Sequence, residues 1–232
     1  MYNNVMAIIF SGFTGDRSGS MSSMGDAPSN CLFKWIDGQV NAKLSIGFMF
    51  LTTFDDVNEL HMNNVKFSSI SIDDDLREKC DKWMKPRNMT KLYDTAIGDL
   101  NRLISAKKAY VKNMPRMLKC LTPNIVMIWA CLTDGFDNSS VNTSKDFRNK
   151  VLEAKKEGVE CFFLAANQDA IVTGEQYGFD GRNSLTFSSS KSGINVAMES
   201  LRSVSYEVSQ GFSPGFSQMQ RSQSLTPPMV YH

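Results

Sequence analysis

Three stretches of the chain are apolar almost without interruption: residues 5–10, 125–132 and 159–166. A strand shows such a run when helices cover both faces of a parallel sheet, whereas a half-exposed strand alternates apolar and polar residues. The segments 43–56 and 58–70 predict two further strands, joined by a turn at residues 55–58. A short strand is predicted at 184–187. The pattern therefore favours a sheet that is buried on both sides.

Apolar residues recur at helical spacing between these strands. One predicted helix face begins at Leu92 and continues with Ala96, Leu100, Leu103 and Ile104. Residues 143–158 predict a helix with a recognisable signal at its N-terminus and another at its C-terminus. Thr143 and Asp146 have the spacing of an N-terminal capping box, and Gly158 stands where a left-handed residue ends a helix.

Residues 71–84 and 192–209 are also helical in period, which gives the order strand, helix, strand, strand, helix, strand, helix, strand, helix. This order predicts an α/β fold: an open, doubly wound, mostly parallel sheet with one antiparallel edge strand and helices on both faces. Ligands of such sheets bind beyond the carboxyl ends of the strands, where strand order reverses. From residue 211 Ser, Gln and Pro dominate, so we expect one domain over 1–210 and a disordered tail over 211–232.

Charge and composition argue against several classes of function. The 232 residues include 25 Lys and Arg against 24 Asp and Glu, without a basic stripe, so we expect no nucleic-acid partner. The apolar runs are far shorter than the ~20 residues of a membrane-spanning helix, so we expect no membrane partner. Cleavage of a secretory signal after the first apolar run would remove a strand, so we expect a cytoplasmic protein.

Few residues are suited to nucleophilic catalysis or zinc binding. The five cysteines are widely spaced and form no C-x-x-C pair, which favours reduced, mostly buried thiols. Of the two histidines, His61 falls in the predicted hairpin and His232 is the last residue. The sequence therefore offers few candidate histidines for a Ser-His-Asp or Cys-His catalytic arrangement.

A polar loop, FTGDRSGSMSSMGD at 13–26, follows the first apolar run and places Asp16, Ser18 and Ser20 on alternate residues. Hard oxygens without His or Cys suit Mg²⁺, Mn²⁺ or Ca²⁺ better than zinc. Taken alone, the same pattern is as typical of a polar turn that caps the next helix. Two other segments favour a metal site, because Asp134 follows another apolar strand and Thr90 precedes the helix at Leu92.

Three separated motifs resemble, in type and order, those of the von Willebrand factor A (vWA) domains, relatives of the integrin inserted domain: DRSGSM at 16–21, MTKLYDTAIGDL at 89–100 and LTDGFDNSS at 132–140. The resemblance covers roughly residues 5–210. The segment FFLAANQDA at 162–170 resembles the compact bacterial and phage members of the family.

This resemblance implies a metal-ion-dependent adhesion site (MIDAS). Ser18, Ser20 and Thr90 would offer hydroxyls to the metal, and Asp16 and Asp134 would bind it directly or through water. Many members carry a glycine two residues before the threonine, where this chain has an asparagine at position 88.

Such a site has incomplete coordination. Mg²⁺ prefers about six oxygens in octahedral geometry, and these hydroxyls and two carboxylates leave room for water or a guest. We therefore expect a metal-dependent protein–protein interaction module that coordinates an Asp or Glu of a partner protein. Phe13, Phe136 and Asn138, with Met21 and Met24, either line a partner-binding rim or shape the loops.

An enzyme is the alternative. Phosphatases of the haloacid dehalogenase type also place an aspartate after the first strand of an α/β sheet and use Mg²⁺. Their D-x-D pattern needs a second carboxylate where this chain has Ser18, and that replacement removes the acid/base group. We therefore favour a binding module, with a Mg²⁺-dependent hydrolase as the second reading.

Overall fold

The structure, a computed structural model, describes residues 7–41, 45–87, 89–166 and 168–225. Six strands run through these residues: β1 (Ala7–Asp16), β2 (Ser45–Phe54), β3 (Asn58–Lys66), β4 (Asn124–Thr133), β5 (Val159–Ala166) and β6 (Ser184–Phe187). Eight α-helices accompany them in the same residues: α1 (Ala27–Val40), α2 (Asp74–Trp83), α3 (Leu92–Asn113), α4 (Arg116–Cys120), α5 (Ser144–Lys156), α6 (Ala170–Gln176), α7 (Lys191–Ser209) and α8 (Gln218–Leu225).

The six described strands form one sheet in the order β3-β2-β1-β4-β5-β6, in which β3 is antiparallel and the others are parallel. The predicted mostly parallel sheet with an antiparallel edge strand is confirmed. β1 pairs with β2 on one side and with β4 on the other, so strand order reverses between β1 and β4. In open α/β sheets, ligands bind in the crevice that lies beyond the carboxyl ends of the strands at such a point.

Helices cover both faces of the sheet, which explains the uninterrupted apolar runs. α1 and α7 pack together over a core that includes Ile9, Leu32 and Leu201. α3 and α5 pack together on the opposite face, over a core that includes Phe10 and Leu100. Ile9 and Phe10 are neighbours in β1 and enter opposite cores, because side chains alternate along a strand. The predicted doubly wound arrangement is therefore confirmed.

β1 extends further than the sequence predicts. We expected the strand to end at Phe10, but it continues to Asp16, and residues 5–6 of the predicted run lie outside the described residues. The strand continues because it has a paired neighbour on each side, as far as the Asp16–Phe54 pair with β2. The sheet itself, rather than a loose loop, therefore carries Asp16 to the crevice.

Several local predictions are confirmed. α5 begins with the expected capping box between Thr143 and Asp146, and Gly158, just after the helix, has a φ of +89°. The structure also shows a cap that the sequence analysis did not predict: the Asp73 side chain accepts a hydrogen bond from the backbone nitrogen of Leu76 at 3.0 Å, at the start of α2. The periodicity alone does not delimit α1, α4 or α6.

A buried carboxylate ties α3 to the sheet. Asp99 is 4% exposed and accepts hydrogen bonds from Thr14 of β1 at 2.5 Å and from Thr52 of β2 at 2.6 Å. The indole of Trp129 in β4 donates to the Thr14 hydroxyl at 2.9 Å, and Arg102 forms an ion pair with Asp99. Burial raises the pKa of Asp99, and these partners oppose the rise. The network connects α3 to the three central strands beneath the crevice.

The C-terminal segment differs from the expected disordered tail. Phe216 is only 6% exposed, and α8 packs against α7 and β6. The Phe216 ring lies edge-on to that of Phe162 in β5, with 5.6 Å between the ring centroids. Phe216 is the single buried apolar side chain of residues 211–225, which is why a composition poor in aliphatic residues did not indicate packing. Residues 226–232 lie outside the described residues.

α8 runs along the free edge of β6. The Arg221 guanidinium donates to the carbonyl oxygen of Ser184 at 2.6 Å, and the Ser224 hydroxyl donates to that of Thr186 at 2.7 Å. The backbone nitrogen of Ser188 donates in turn to the Ser224 carbonyl at 2.9 Å. The helix thereby occupies backbone groups that an edge strand otherwise exposes.

The cysteines behave as expected. All five are free thiols, and Cys120 alone among them is exposed. Burial raises the pKa of Cys31 and of Cys80 to about 12, which keeps these thiols protonated. His61 lies in β3 of the predicted hairpin, whereas His232 is outside the described residues. No helix in the described ranges is both long and apolar enough to cross a membrane.

Candidate metal centre

Three segments meet at the crevice between β1 and β4. The first leaves β1 at Asp16 and turns into a short 3₁₀ helix at Gly19–Met24. The second contains Thr90 and leads into α3, and the third leaves β4 and contains Asp134. All five predicted site residues lie in these segments, and of the five only Ser20 is exposed.

Three side-chain oxygens, which we call the oxygen triangle, lie close together in the crevice: Ser18 Oγ, Ser20 Oγ and Asp134 Oδ1. The two hydroxyl oxygens are 3.0 Å apart. Asp134 Oδ1 lies 2.7 Å from the Ser20 hydroxyl and 3.5 Å from the Ser18 hydroxyl. Ser18 precedes the 3₁₀ helix, whose tight turn brings Ser20 back beside it. Two loops that are distant in sequence therefore present hard oxygens to one point.

Asp16 is fully buried next to the oxygen triangle. One of its carboxylate oxygens accepts a hydrogen bond from the backbone nitrogen of Ser18, and the other accepts one from the Thr133 hydroxyl, each at 2.7 Å. Burial raises the pKa of Asp16 to about 6, although both hydrogen bonds act to lower it. Burial also raises the pKa of Asp134. A nearby cation would favour the ionised form of both carboxylates.

Thr90 precedes α3 and lies against the loop that follows β4. Its side chain is buried, and its hydroxyl lies 3.8 Å from the position that a Cβ atom on Gly135 would occupy. The backbone nitrogen of Thr90 donates to the Asn138 side chain at 2.9 Å, and the nitrogen of Asn138 donates to the Thr90 carbonyl at 3.0 Å. The asparagine at position 88, where the family pattern has glycine, lies outside the described residues.

A group of four charged side chains beside the crevice, which we call the charge cluster, was not anticipated from the sequence. Arg17 is 1% exposed and forms ion pairs with Asp55 and Glu59, and Arg87 pairs with the same two carboxylates. The sequence predicted a strand that ends at Phe10 and therefore gave no sign that Arg17 is buried. A buried arginine needs carboxylate partners, and Asp55 in the β2–β3 turn and Glu59 in β3 supply them.

The apolar residues near the site divide into two groups. Phe13, Met21 and Met24 are buried in the core and shape the loops. Phe136 is 62% exposed and follows Asp134 by two residues, and Met89, next to Thr90, is 47% exposed. Phe136 and Met89 are therefore exposed side chains of the loops that also carry Asp134 and Thr90.

The crevice is not a carboxylate-rich or histidine-rich metal site. Within the described residues, no group of three or more His, Cys, Asp or Glu side chains is arranged to hold a metal ion. The candidate donors are three hydroxyls, of Ser18, Ser20 and Thr90, and the carboxylates of Asp16 and Asp134. All of them are hard oxygen donors.

No protein-family model matches the chain, and no curated protein matches its sequence. Solved structures do match its fold. Proximal thread matrix protein 1 from the mussel byssus, in a structure with a zinc-occupied MIDAS motif, aligns with a TM-score of 0.58 and 14% identity. That alignment covers 89% of this chain and 47% of the mussel protein.

Two bacterial proteins of known structure also have a fold similar to that of this chain. A von Willebrand factor type A protein from Catenulispora acidiphila aligns with a TM-score of 0.57 and 10% identity, over 86% of this chain and 43% of the other. The PilB minor pilin from Streptococcus sanguinis aligns with a TM-score of 0.52 and 10% identity, over 91% and 63%. The chain thus spans less than half the length of the mussel and Catenulispora proteins. At these identities the matches show a shared fold.

Proposed function

The chain has the fold of a von Willebrand factor A domain, and we propose that it is a protein-binding module whose binding site is built around a divalent cation. In this proposal the cation is held by Asp16, Ser18, Ser20, Thr90 and Asp134. An Asp or Glu side chain of a partner protein completes the coordination.

The oxygen triangle is the observation that carries this proposal. Mg²⁺ binds oxygens at about 2.1 Å in octahedral geometry, so neighbouring ligand oxygens lie about 3.0 Å apart. The three distances between the oxygens of Ser18, Ser20 and Asp134 are 2.7, 3.0 and 3.5 Å, close to that spacing. These oxygens therefore suit adjacent positions of a single coordination sphere without a large rearrangement.

In this proposal the protein fills only part of the coordination sphere of the cation, which leaves a position for a partner's carboxylate. The carboxylate oxygens of Asp16 already accept bonds from Ser18 and Thr133, which favours contact with the cation through water. The oxygen triangle with the Thr90 hydroxyl supplies four direct oxygens at most, so water or a guest takes the other positions. Small neutral hydroxyls add no charge that would repel an incoming carboxylate.

We propose Mg²⁺, or alternatively Mn²⁺ or Ca²⁺, because hydroxyl and carboxylate oxygens are hard ligands. The mussel protein holds zinc in its MIDAS motif, so zinc belongs in the same titrations. We also propose that the protein acts in the cytoplasm, and its five free cysteines support this.

We propose no catalytic role. Ser18 stands where a phosphatase of the D-x-D type needs its second carboxylate, so the crevice lacks the acid/base group of that reaction. We expect no metal-dependent turnover of generic phosphoesters. Turnover that disappears with Ser18→Ala would favour the enzyme instead.

Calorimetric titration with Mg²⁺ and Mn²⁺ tests the metal site. We expect Ser18→Ala and Asp16→Ala to weaken binding at least tenfold, about 1.4 kcal/mol, because each removes an oxygen that the site uses. Ser22→Ala is the matched control, since Ser22 is exposed in the same 3₁₀ helix and should keep the wild-type affinity. The same affinity in all four proteins would contradict the proposal.

A further inference from the structure

The charge cluster joins the segments that form the crevice, although it contributes no oxygen to the oxygen triangle. Arg17 stands in the chain between two of the proposed site residues. Asp55 lies in the β2–β3 turn, Glu59 lies in β3, and Arg87 precedes the segment that contains Thr90. Contacts within the cluster therefore act on the relative positions of the loops.

Backbone hydrogen bonds accompany the ion pairs. The backbone nitrogen of Arg17 donates to the Phe54 carbonyl at 2.9 Å, and the nitrogen of Arg87 donates to the Arg17 carbonyl at 2.8 Å. The nitrogen of Lys91 donates to the carbonyl of Asp55, also at 2.8 Å. The first loop and the segment around Thr90 are thus attached to the end of β2 and to each other.

Ion pairs between the side chains join the same segments. The guanidinium of Arg17 makes two contacts of 2.8 Å with Glu59 and one of 3.3 Å with Asp55. Arg87 reaches Asp55 at 2.9 Å from the solvent side. Arg17 and Asp55 are each 1% exposed, so removal of either one leaves the other as a buried charge with a single ion-pair partner, Glu59 for Arg17 and Arg87 for Asp55.

The cluster is also electrically balanced, since two guanidinium groups face two carboxylates. The hydrogen bond from Arg17 is the main cause that holds the pKa of Glu59 at about 2, so Glu59 stays ionised at neutral pH. An isolated buried arginine beside a divalent cation would repel it, because both are positive and charges are weakly screened away from water. Asp55 and Glu59 cancel that repulsion.

We infer that Arg17 and Asp55 are positioning residues for the proposed cation site: they fix the first loop and the Thr90 segment together, and they leave no net buried charge beside the cation. This inference rests on the proposed function. Neither residue is among the proposed ligands of the cation.

Two variants and one control test it. Asp55→Asn keeps the shape of the side chain and removes its charge, and Arg87→Gln removes the outer guanidinium, which is 45% exposed. Glu157→Gln is the control, because Glu157 pairs with Lys108 of α3 and lies outside the charge cluster. We expect Asp55→Asn to weaken Mn²⁺ binding at least tenfold, Arg87→Gln to weaken it less, and Glu157→Gln to leave it unchanged.

A second readout does not depend on the metal. In protein kept in EDTA, hydrogen exchange at the backbone nitrogens of Arg87 and Lys91 should be faster in Asp55→Asn than in the wild type. Urea unfolding of the same samples separates local loosening from a general loss of stability. A purely structural role lowers stability and leaves the Mn²⁺ affinity of the folded protein unchanged.

The outcomes separate the two proposals. Wild-type Mn²⁺ affinity in a folded Asp55→Asn variant overturns the inference and leaves the proposed function standing. If Asp55→Asn does not fold, Arg87→Gln decides, and unchanged affinity and exchange in that variant overturn the inference. A wild-type protein that binds no divalent cation overturns the proposed function and the inference with it.

Discussion

His61 is the histidine that the structure describes, and its environment keeps it neutral. Its Nε2 atom lies 2.7 Å from the Thr53 hydroxyl, and its ring stacks on Trp83 with 4.6 Å between the ring centroids. Burial is the main cause that lowers the pKa of His61 to about 4. Arg17 and Arg87 act in the same direction, and Glu59 opposes them.

We predict that His61 makes the metal-free protein less stable in mild acid. The unfolded chain binds a proton at His61 near pH 6.5 and the folded chain only near pH 4, so stability is lost as pH falls through that window. Urea unfolding in EDTA at pH 7 and pH 5 measures the loss. The wild type should lose more than His61→Gln, and equal losses would show that His61 does not contribute.

The burial and the ion-pair partners of Arg17 could not be predicted from its place in the sequence. The sequence placed it in a polar loop, between Asp16 and Ser18. The structure buries it completely, because Asp55 and Glu59 come from a turn and a strand about forty residues further along the chain. The type of a residue is local information, whereas its charge partners are not.

At the scale of elements, the docking of α8 depends on the buried ring of Phe216 and on hydrogen bonds to backbone groups of β6. Phe216 enters the core beside Phe162, and Arg221 binds carbonyl oxygens at the edge of the sheet. The helix has few apolar residues of its own, so its amphipathic pattern is weak. Its position is set by the edge strand β6, and the sequence of residues 211–225 does not predict it.

We predict that Phe216→Ala lowers the free energy of unfolding by about 3 kcal/mol, because it removes a buried aromatic ring. Phe212→Ala is the matched control. Phe212 lies in the same segment and is 63% exposed, so its loss should change stability by less than about 0.5 kcal/mol. Urea unfolding of the three proteins measures both values, and similar values for the two variants would mean that Phe216 is not packed as described.

At the scale of the whole molecule, the crevice combines a proposed cation site with two exposed apolar side chains. Phe136 follows β4 and Met89 precedes α3, and hydrogen bonds between Thr90 and Asn138 join their loops. A partner that presents an acid to the cation would therefore lie against both side chains. Apolar contacts near the centre of an interface contribute much of its affinity.

We predict that partner capture by the immobilised protein requires a divalent cation, so that EDTA elutes the partner and Mg²⁺ or Mn²⁺ restores binding. Phe136→Ala should weaken capture at least about fivefold, or about 1 kcal/mol, without a change in Mn²⁺ affinity. Phe212→Ala is again the control, because Phe212 is equally exposed but lies in the C-terminal segment. Capture that is indifferent to EDTA would place the partner on another surface.

Several features of this protein follow from the sequence because they depend on residues that are close together in the chain. The capping box of Thr143 and Asp146, the left-handed Gly158 and the turn after β2 are all of this kind. The buried strands β4 and β5 also follow, because burial on both faces leaves a continuous apolar run. The types of oxygen donor in the crevice were likewise readable in three short motifs.

Other features were decided by the tertiary structure. β1 continues to Asp16 because β2 and β4 pair with it on both sides. α8 packs where it does because β6 is the edge strand of the sheet. Arg17 is buried because the β2–β3 hairpin brings carboxylates to it. The distances in the oxygen triangle likewise depend on where the ends of β1 and β4 meet. Each of these depends on contacts between segments that are distant in the chain, and local periodicity carries no information about such contacts.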